Sequence, residues 1–597
     1  MLNTSNGNTM LNKKVLKTGI AIFSLALVVR IIYLYEVSKS PTFYAPIIDS
    51  ATYDFVAKSA VEGNIIYNKL FWQAFFYPVF LSTVYLLSGA SILFAKSVQV
   101  LLGSIVCILV YRLGENMFDS RTGILAGLIT ALYGPLIFFE GELLATGWAC
   151  FWSIVLLIIL LHASGNKGSF ICFVWGLCAA LSIITRATFI PFAVAATIWL
   201  VLVLRRASMP IIMIRTSRNL ILLGFVLILI PVSMLSFYTR GRLSFLPESG
   251  PINFYIGNNA DSSKTVTTRL GSAWSELTHL PYQHGVKDAH QERQFFTGQV
   301  YNYITTEPLS FIAGLAHKTV QFFCPREIPR NVDMYLWRRY SRLFSLLTWK
   351  TYGFGFPFGV LLPMAIIGLV CCWRRISIPV LLFLILYPSA VILVFTSARY
   401  RLPVVPALGV LAAAGFWEIT KIIKAKRWGK LSLMATAITV IVVLNSLLSP
   451  FPAEIVNYEA EMHYCIAKYY QKQSSLQQAH DHLSEAIRLD PLYADAYHFL
   501  GTLMQYQGKS EKAFEYYSKA LEIKPELVLA RYNSGVTLLK LKRVDQAIEH
   551  LSEALFLAER FGYIEFMPQI QKHLQLAEAL LGEPNTSAPS SLHKKEP

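Results

Sequence analysis

Charge is scarce in this chain. Asp, Glu, Lys and Arg make up 15% of its 597 residues, apolar residues make up 54%, and the mean hydropathy is +0.47. That balance is too oily for a soluble globule and fits a protein that crosses a membrane many times. Cysteine is also sparse: eight residues, most inside apolar runs (Cys107, Cys150, Cys172, Cys178), with no CxxC pair and no Cys/His ligand set. Neither a zinc site nor a disulfide framework is therefore indicated. Acidic residues are outnumbered, leaving a formal charge of +17. Many of the Lys and Arg residues flank apolar runs, where the positive-inside effect puts them, and no nucleic-acid-binding motif accompanies them. Nucleic acid is not expected as a partner.

What is abundant is long apolar sequence. The length calls for more than one domain. Runs of about 20 residues, the length that crosses a bilayer, are expected near 18–36, 91–111, 122–139, 144–162, 169–185, 187–204, 219–237, 353–372, 377–396, 402–419 and 431–449. The first follows Lys13, Lys14 and Lys17 and has no small-residue cleavage site after it, so it reads as an uncleaved anchor with a cytoplasmic N-terminus. The basic clusters fall in alternate loops: Arg112 and Arg121; Lys167; Arg205, Arg206, Arg215 and Arg218; Arg374 and Arg375; and the run from Lys421 to Lys430. That alternation expects a multi-pass protein of the inner (cell) membrane, with large loops 37–90 and 238–352 and the C-terminus all outside the cytoplasm. Residues 75–87 are apolar but too short to span, contain Pro78, and are expected to lie at the interface.

The expected fold is therefore all-α: a polytopic bundle of about 11 spans over residues 1–450, then a helical solenoid. After Pro450 the composition turns polar and a 34-residue period emerges: Pro491 and Pro525; Ala486, Ala520 and Ala554; Ala479, Ala513 and Ala547; Gly501 and Gly535. Tyr497, Leu500, Gly501, Ala513, Tyr517, Ala520 and Pro525 follow the tetratricopeptide pattern. Three such units are expected over 453–560, with a disordered tail over 582–597. A stack of three presents a concave surface suited to an extended peptide, so a protein partner is expected there; a rigid spacer or self-association surface is the plain alternative.

The polar residues near the ends of spans are the candidates for chemistry. Asp49 opens a helix just beyond the first span, with Tyr53 one turn on and Asp54 beside it; helix capping alone would also explain an Asp there. Glu140 and Glu142 lie where the third run ends, at a depth where carboxylates are costly, although both could simply reach water. Arg186, Arg240, Arg242, Arg399 and Arg401 sit on the expected outer side, against the charge trend. Guanidinium forks suit phosphate oxygens, and head-group snorkelling is the bland alternative. The turn at Gly257-Asn258-Asn259 has a sufficient structural explanation.

Taken in order, the Asp49/Tyr53/Asp54/Ala57 segment, Tyr77-Pro78, Glu140-Gly141-Glu142-Leu143-Leu144, Thr185-Arg186, Gly257-Asn258-Asn259 and Ala398-Arg399-Tyr400-Arg401-Leu402-Pro403 resemble a known group. Over roughly residues 15–425 the chain is similar to bacterial relatives of the dolichyl-phosphate-mannose protein mannosyltransferases and of the lipid A aminoarabinose transferase, which are GT-C fold glycosyltransferases of the family 39 type. The resemblance implies a polyprenyl-phosphate-linked sugar as donor and a glycan, lipid or protein hydroxyl as acceptor. It implies Asp49 as general base, assisted by Glu142 or, second, Glu140, with Tyr53 and Asp54 in support. The outer arginines (Arg186, Arg399, Arg401) would bind the donor phosphate. Relatives often carry a further acid where this chain has Thr146. No cofactor is expected and no metal ligands are assigned, although relatives of the same broad fold use a divalent cation. Two other readings stay open: a surface-glycan polymerase or ligase using a diphosphate-linked donor, and a non-enzymatic anchor for the repeats.

Overall fold

The computed structural model describes residues 4–582 apart from Ile66, 166–168, 207–209, Lys287, Tyr352 and 448–449; the expected tail lies outside the described residues except for Gly582. The fold is almost wholly helical, a polytopic apolar bundle with a C-terminal tetratricopeptide array. Its backbone forms two compact units: Met1–Thr267 with Thr297–Val456, and Thr268–Phe296 with the chain from Asn457 onward. The second grouping is not legible from composition, because 29 residues of the large loop 238–352 go with the repeats.

In the first unit, among the described residues, seven helices are long and apolar enough to cross a membrane: Val15–Val37, Ile92–Met117, Thr146–Ala163, Ala187–Arg206, Ile211–Arg240, Phe358–Arg375 and Ala398–Lys424. The run expected as one span over 122–139 is broken. It forms Ser120–Ala131 and Gly134–Glu140 with a 55° bend between them, which would make an eighth span. Pro135 cannot donate to the helix before it, so the chain turns at Leu132–Tyr133 and restarts with Pro135 in its first turn. Phe170–Thr185 and Ile378–Val394 are shorter, with 16 and 17 residues, or about 24–26 Å at 1.5 Å per residue. Trp428–Leu447 is the last long helix of the unit, followed by the short Pro452–Ile455. The span expected to begin at 353 starts at Phe358 instead, because a two-stranded antiparallel hairpin precedes it, pairing Trp349 with Phe356 and Thr351 with Phe354. Phe76–Ser88 is a separate 13-residue helix.

Between apolar helices the hydrophobic effect gives little net attraction, so close packing must supply the cohesion. Phe170–Thr185 and Ile211–Arg240 meet where Gly176 lies against the Ile221 carbonyl and Gly224 against the backbone of Phe173–Leu177; a Cβ at either would overlap main-chain atoms. Gly103 serves a polar neighbour: a Cβ there would overlap the Glu140 carboxylate. That carboxylate is fully buried and ion-paired to Arg30 on the first span at 2.6 Å, and the guanidinium also donates to the Ala26 and Ala131 carbonyls.

In the second unit the repeat helices alternate as paired segments from Tyr458–Lys472 to Val544–Arg560, followed by Met567–Gly582. The alanines of the 34-residue period (Ala479, Ala486, Ala513, Ala520, Ala547, Ala554) are all fully buried, which is why larger residues are not found there.

Gly103→Ala is predicted to lower thermal stability in detergent by the equivalent of about 1–3 kcal/mol of overpacking. Gly298→Ala, in the helix Ala289–Thr306 with open space around its Cα, should be neutral or stabilising by up to about 1 kcal/mol. Equal melting shifts in the two variants would contradict the packing.

Candidate active site

Asp49 stands in the first turn of Ile48–Val61, but the helix-capping position is Ile47. The Asp49 carboxylate points across the unit instead. It accepts from Gln73 Nε2 at 2.7 Å and Asn331 Nδ2 at 2.8 Å, and it is ion-paired to Arg399 Nη1. Three segments distant in sequence therefore converge on one carboxylate. The backbone leading into it is strained: Ile48 has φ +54°, a left-handed conformation that a β-branched residue avoids. Such strain costs on the order of 1–3 kcal/mol and persists only where surrounding contacts impose it, commonly at functional sites.

Tyr400 organises the cationic side of the site. Its ring carries Arg399 on one contact (5.0 Å from guanidinium carbon to centroid) and Arg186 on another (4.7 Å). Arg186 ends the helix Phe170–Thr185. It donates to the Arg399 carbonyl at 3.0 Å, and at 3.4 Å to both the Tyr387 hydroxyl and Thr146 Oγ1. Among the described residues no carboxylate pairs with it. Several buried polar atoms here have no hydrogen-bond partner: Gln73 Oε1, Arg399 Nε and Ser397 Oγ. Such atoms also occur elsewhere in the unit, at Thr348, Ser377 and Trp417 for example, but the first three lie on or beside residues of the Asp49–Arg399 cluster, where polar ligand atoms could be received. Tyr53, one turn beyond Asp49, packs edge-on against Tyr77 at 4.7 Å. Burial, then the Asp49 charge, holds its phenol above its ordinary value, so it remains protonated.

The other expected residues sit in different surroundings. Asp54 accepts from Tyr85 at 2.5 Å and Lys58 at 2.8 Å. Glu140 is locked to Arg30. Glu142 has Lys96 as its opposite charge; burial raises its pKa and Lys96 partly reverses that. Gln99, donating to the carbonyls of Glu140 and Glu142 at 2.9 and 2.7 Å and accepting from Tyr77 at 2.6 Å, fixes this loop without bringing either carboxylate onto Asp49. Arg401, two residues from Arg399, turns the other way. It is 2% exposed, paired with Glu327 at 2.6 Å, bonded to the carbonyls of Phe322, Cys324 and Arg326, and stacked on Phe358 at 3.7 Å. Arg240 pairs with Glu248 at 2.6 Å.

Gln73 and Asn331 escape sequence reasoning because neutral amides carry no charge signal. Lys318 escapes it as well. Its ammonium donates to the Gly257 carbonyl, Asn258 Oδ1 and the Val394 carbonyl at 3.0, 2.7 and 3.2 Å, and burial pulls its pKa down to about 8. It thereby ties the Gly257-Asn258 turn to the strand-like entry to Arg399. Among the described residues no cluster of three or more His, Cys, Asp or Glu could hold a metal ion.

The tetratricopeptide repeat family model matches residues 494–527. No curated protein matches the chain. Among solved structures, the repeats are similar to the TPR2B-domain:pHsp70 complex of yeast Sti1 (21% identity, 20% of this chain and 97% of that one, TM-score 0.20) and to MamA (26% identity, 25% and 88%, TM-score 0.17). Over 86% of this chain and 72% of that one, the chain is similar to the archaeal oligosaccharyltransferase AglB from Archaeoglobus fulgidus, solved with an inhibitory peptide and a dolichol-phosphate (13% identity, TM-score 0.40).

Arg401→Ala is predicted to leave Glu327 buried and unpaired, costing about 3–5 kcal/mol and lowering yield and melting temperature. Arg399→Ala, at a site with open valences, should melt close to the parent. The reverse ranking in a detergent melt would exchange the two roles.

Proposed function

We propose that the chain is a membrane glycosyltransferase that moves a sugar from a polyprenyl-phosphate donor to an acceptor hydroxyl, within the group of family 39 type that its motifs resemble. The observation that carries this reading is the joint placement of Asp49, Arg399 and Arg186 around Tyr400, with polar valences left open. Asp49 accepts the acceptor's proton as its oxygen bonds to the anomeric carbon, and the bond from that carbon to the phosphate oxygen breaks. The phosphate leaves as an anion, and fixed guanidinium charge stabilises the charge developing on it. In the state described here Arg399 is ion-paired to Asp49. A donor phosphate offers Arg399 a second anionic partner, which frees the carboxylate for the acceptor. Among the described residues Arg186 has no carboxylate to surrender, so it is assigned to the phosphate. Arg401 is reassigned to structure, and Glu142 keeps at most a supporting role through its loop.

Contacts within the unit support the proposed topology by parity. Asp49, Arg186 and Arg399 meet, so even numbers of crossings must separate them. Four apolar segments lie between the first two and four between the second two, provided Phe76–Ser88 does not cross. Arg326 of the loop 238–352 pairs with Glu454 at 2.8 Å, and four apolar helices separate them. Residues 37–90, 238–352 and the chain after 450 are therefore assigned to one side, outside the cytoplasm by the positive-inside effect.

Asp49→Asn is predicted to abolish transfer from polyprenyl-phosphate sugar in a purified assay while preserving the melt, because it removes a base without changing shape; near-parental turnover would overturn the assignment. Arg186→Ala should raise the apparent donor KM about tenfold or more, from the loss of a charge-assisted bond of about 1.5–3 kcal/mol. An unchanged donor KM would move the phosphate site elsewhere.

A further inference from the structure

Within the second unit the repeats already hold a peptide, and it belongs to the same chain. Arg269 pairs with Asp490 at 2.9 Å, donates to the Asn457 carbonyl at 2.9 Å and lies 4.5 Å over the Tyr493 ring. The Leu270 amide donates to Glu461 at 3.1 Å, and Ser272 donates through both its amide and its hydroxyl to Asp495 at 2.8 and 2.9 Å. Lys524 donates to Ser272 Oγ at 2.9 Å and pairs with Glu276 at 2.6 Å. Further along, His279 stacks on Tyr563 at 4.5 Å and contacts Glu565 at 2.8 Å, and Gln283 donates to the Phe561 carbonyl at 3.2 Å.

The repeat period explains why this contact is directional. Glu461 and Asp495 occupy the same place in successive repeats, one 34-residue step apart, and each receives a backbone amide of the segment. Asp490 and Lys524 are related by the same step but carry opposite charge. The segment answers them in order, with Arg269 on Asp490 and Glu276 on Lys524. A reversed or shifted segment would set like charges together. Gly271 adds a steric condition: its φ is +114°, and a Cβ there would lie 2.7 Å from the Asp495 carboxyl carbon.

We infer that the repeats are a docking surface whose occupant is this chain's own residues 269–283, so that they anchor the large loop 238–352 in cis. The contact is largely polar. Leu277 and Pro281 are among the few buried apolar side chains of the segment, and the Arg269–Asp490 and Lys524–Glu276 pairs are a quarter to a third exposed. Such pairs are individually weak and salt-sensitive. Occupancy therefore depends on the high effective concentration of a segment tethered at both ends.

Hydrogen exchange on the full-length protein in detergent tests this without reference to catalysis. The amides of 268–283 should be protected in the parent at low salt, and protection should fall at high salt. Lys524→Glu should speed their exchange roughly tenfold or more, while the repeat helix Ser510–Ile523 keeps its protection. Lys524→Glu combined with Glu276→Lys should restore the segment's protection. Unchanged exchange in Lys524→Glu, or no recovery in the double variant, would overturn the proposal. So would loss of protection on dilution, because the occupant would then come from a second copy. Absence of transfer activity in the parent, together with the exchange pattern predicted above, would count against the glycosyltransferase reading and leave this inference intact.

Discussion

The ion pair between Asp49 and Arg399 joins residues 350 positions apart, and the arrangement of the candidate site follows from it. Both side chains keep some exposure, 24% for Asp49 and 15% for Arg399, and Asp49 has two amide donors besides, so the pair positions the candidate site more than it stabilises the fold. Their meeting brings the helix after the first span against the short Ala398–Arg401 helix. Gln73 and Asn331 then supply the carboxylate's remaining donors, and the strain at Ile48 is tolerated because these contacts over-determine the position.

The buried charges of the unit divide by how completely they are satisfied. Arg30 with Glu140, Arg401 with Glu327, Arg326 with Glu454, and Asp54 with Tyr85 and Lys58 form networks in which the carboxylates and guanidiniums are mutually engaged. They lock helices and loops in register and have little capacity left for a ligand. Asp49, Arg399, Arg186 and Gln73 differ: among the described residues Arg186 pairs with no carboxylate, and Arg399 Nε and Gln73 Oε1 have no hydrogen-bond partner. Low dielectric makes such slack expensive, so it is informative where it occurs. This contrast separates two arginines that sequence presents as near-equivalents, Arg399 and Arg401, two residues apart.

The parts legible in the sequence are the local ones. Apolar run length announces the long helices, and the 34-residue spacing of Ala486, Ala520 and Ala554 announces the repeats, because both depend on near neighbours alone. Asp49 and the arginines were legible by type and by position at span ends. Their partners were not: whether Arg401 meets phosphate or Glu327 depends on a loop some 75 residues earlier. Gln73 and Asn331 gave no signal because neutral amides are common in loops. The bend at Leu132–Tyr133 was signalled by Gly134-Pro135 but hidden inside an otherwise continuous apolar run. The docking of 269–283 on the repeats was invisible, because its complementarity resides in the alternation of Asp490 and Lys524 and has no periodic counterpart in the segment.

The central claim is that the Tyr400-centred cluster receives a lipid-linked phosphate. It is tested most directly by photo-crosslinking the intact protein with a polyprenyl phosphate that carries a photoreactive group next to the phosphate, then mapping the modified peptides. The account predicts label, displaced by excess unmodified polyprenyl phosphate, in the segments containing Thr146, Arg186 and Ser397–Tyr400. Displaceable label concentrated instead around Lys96 and Glu142, or no displaceable label in the membrane unit, would contradict it.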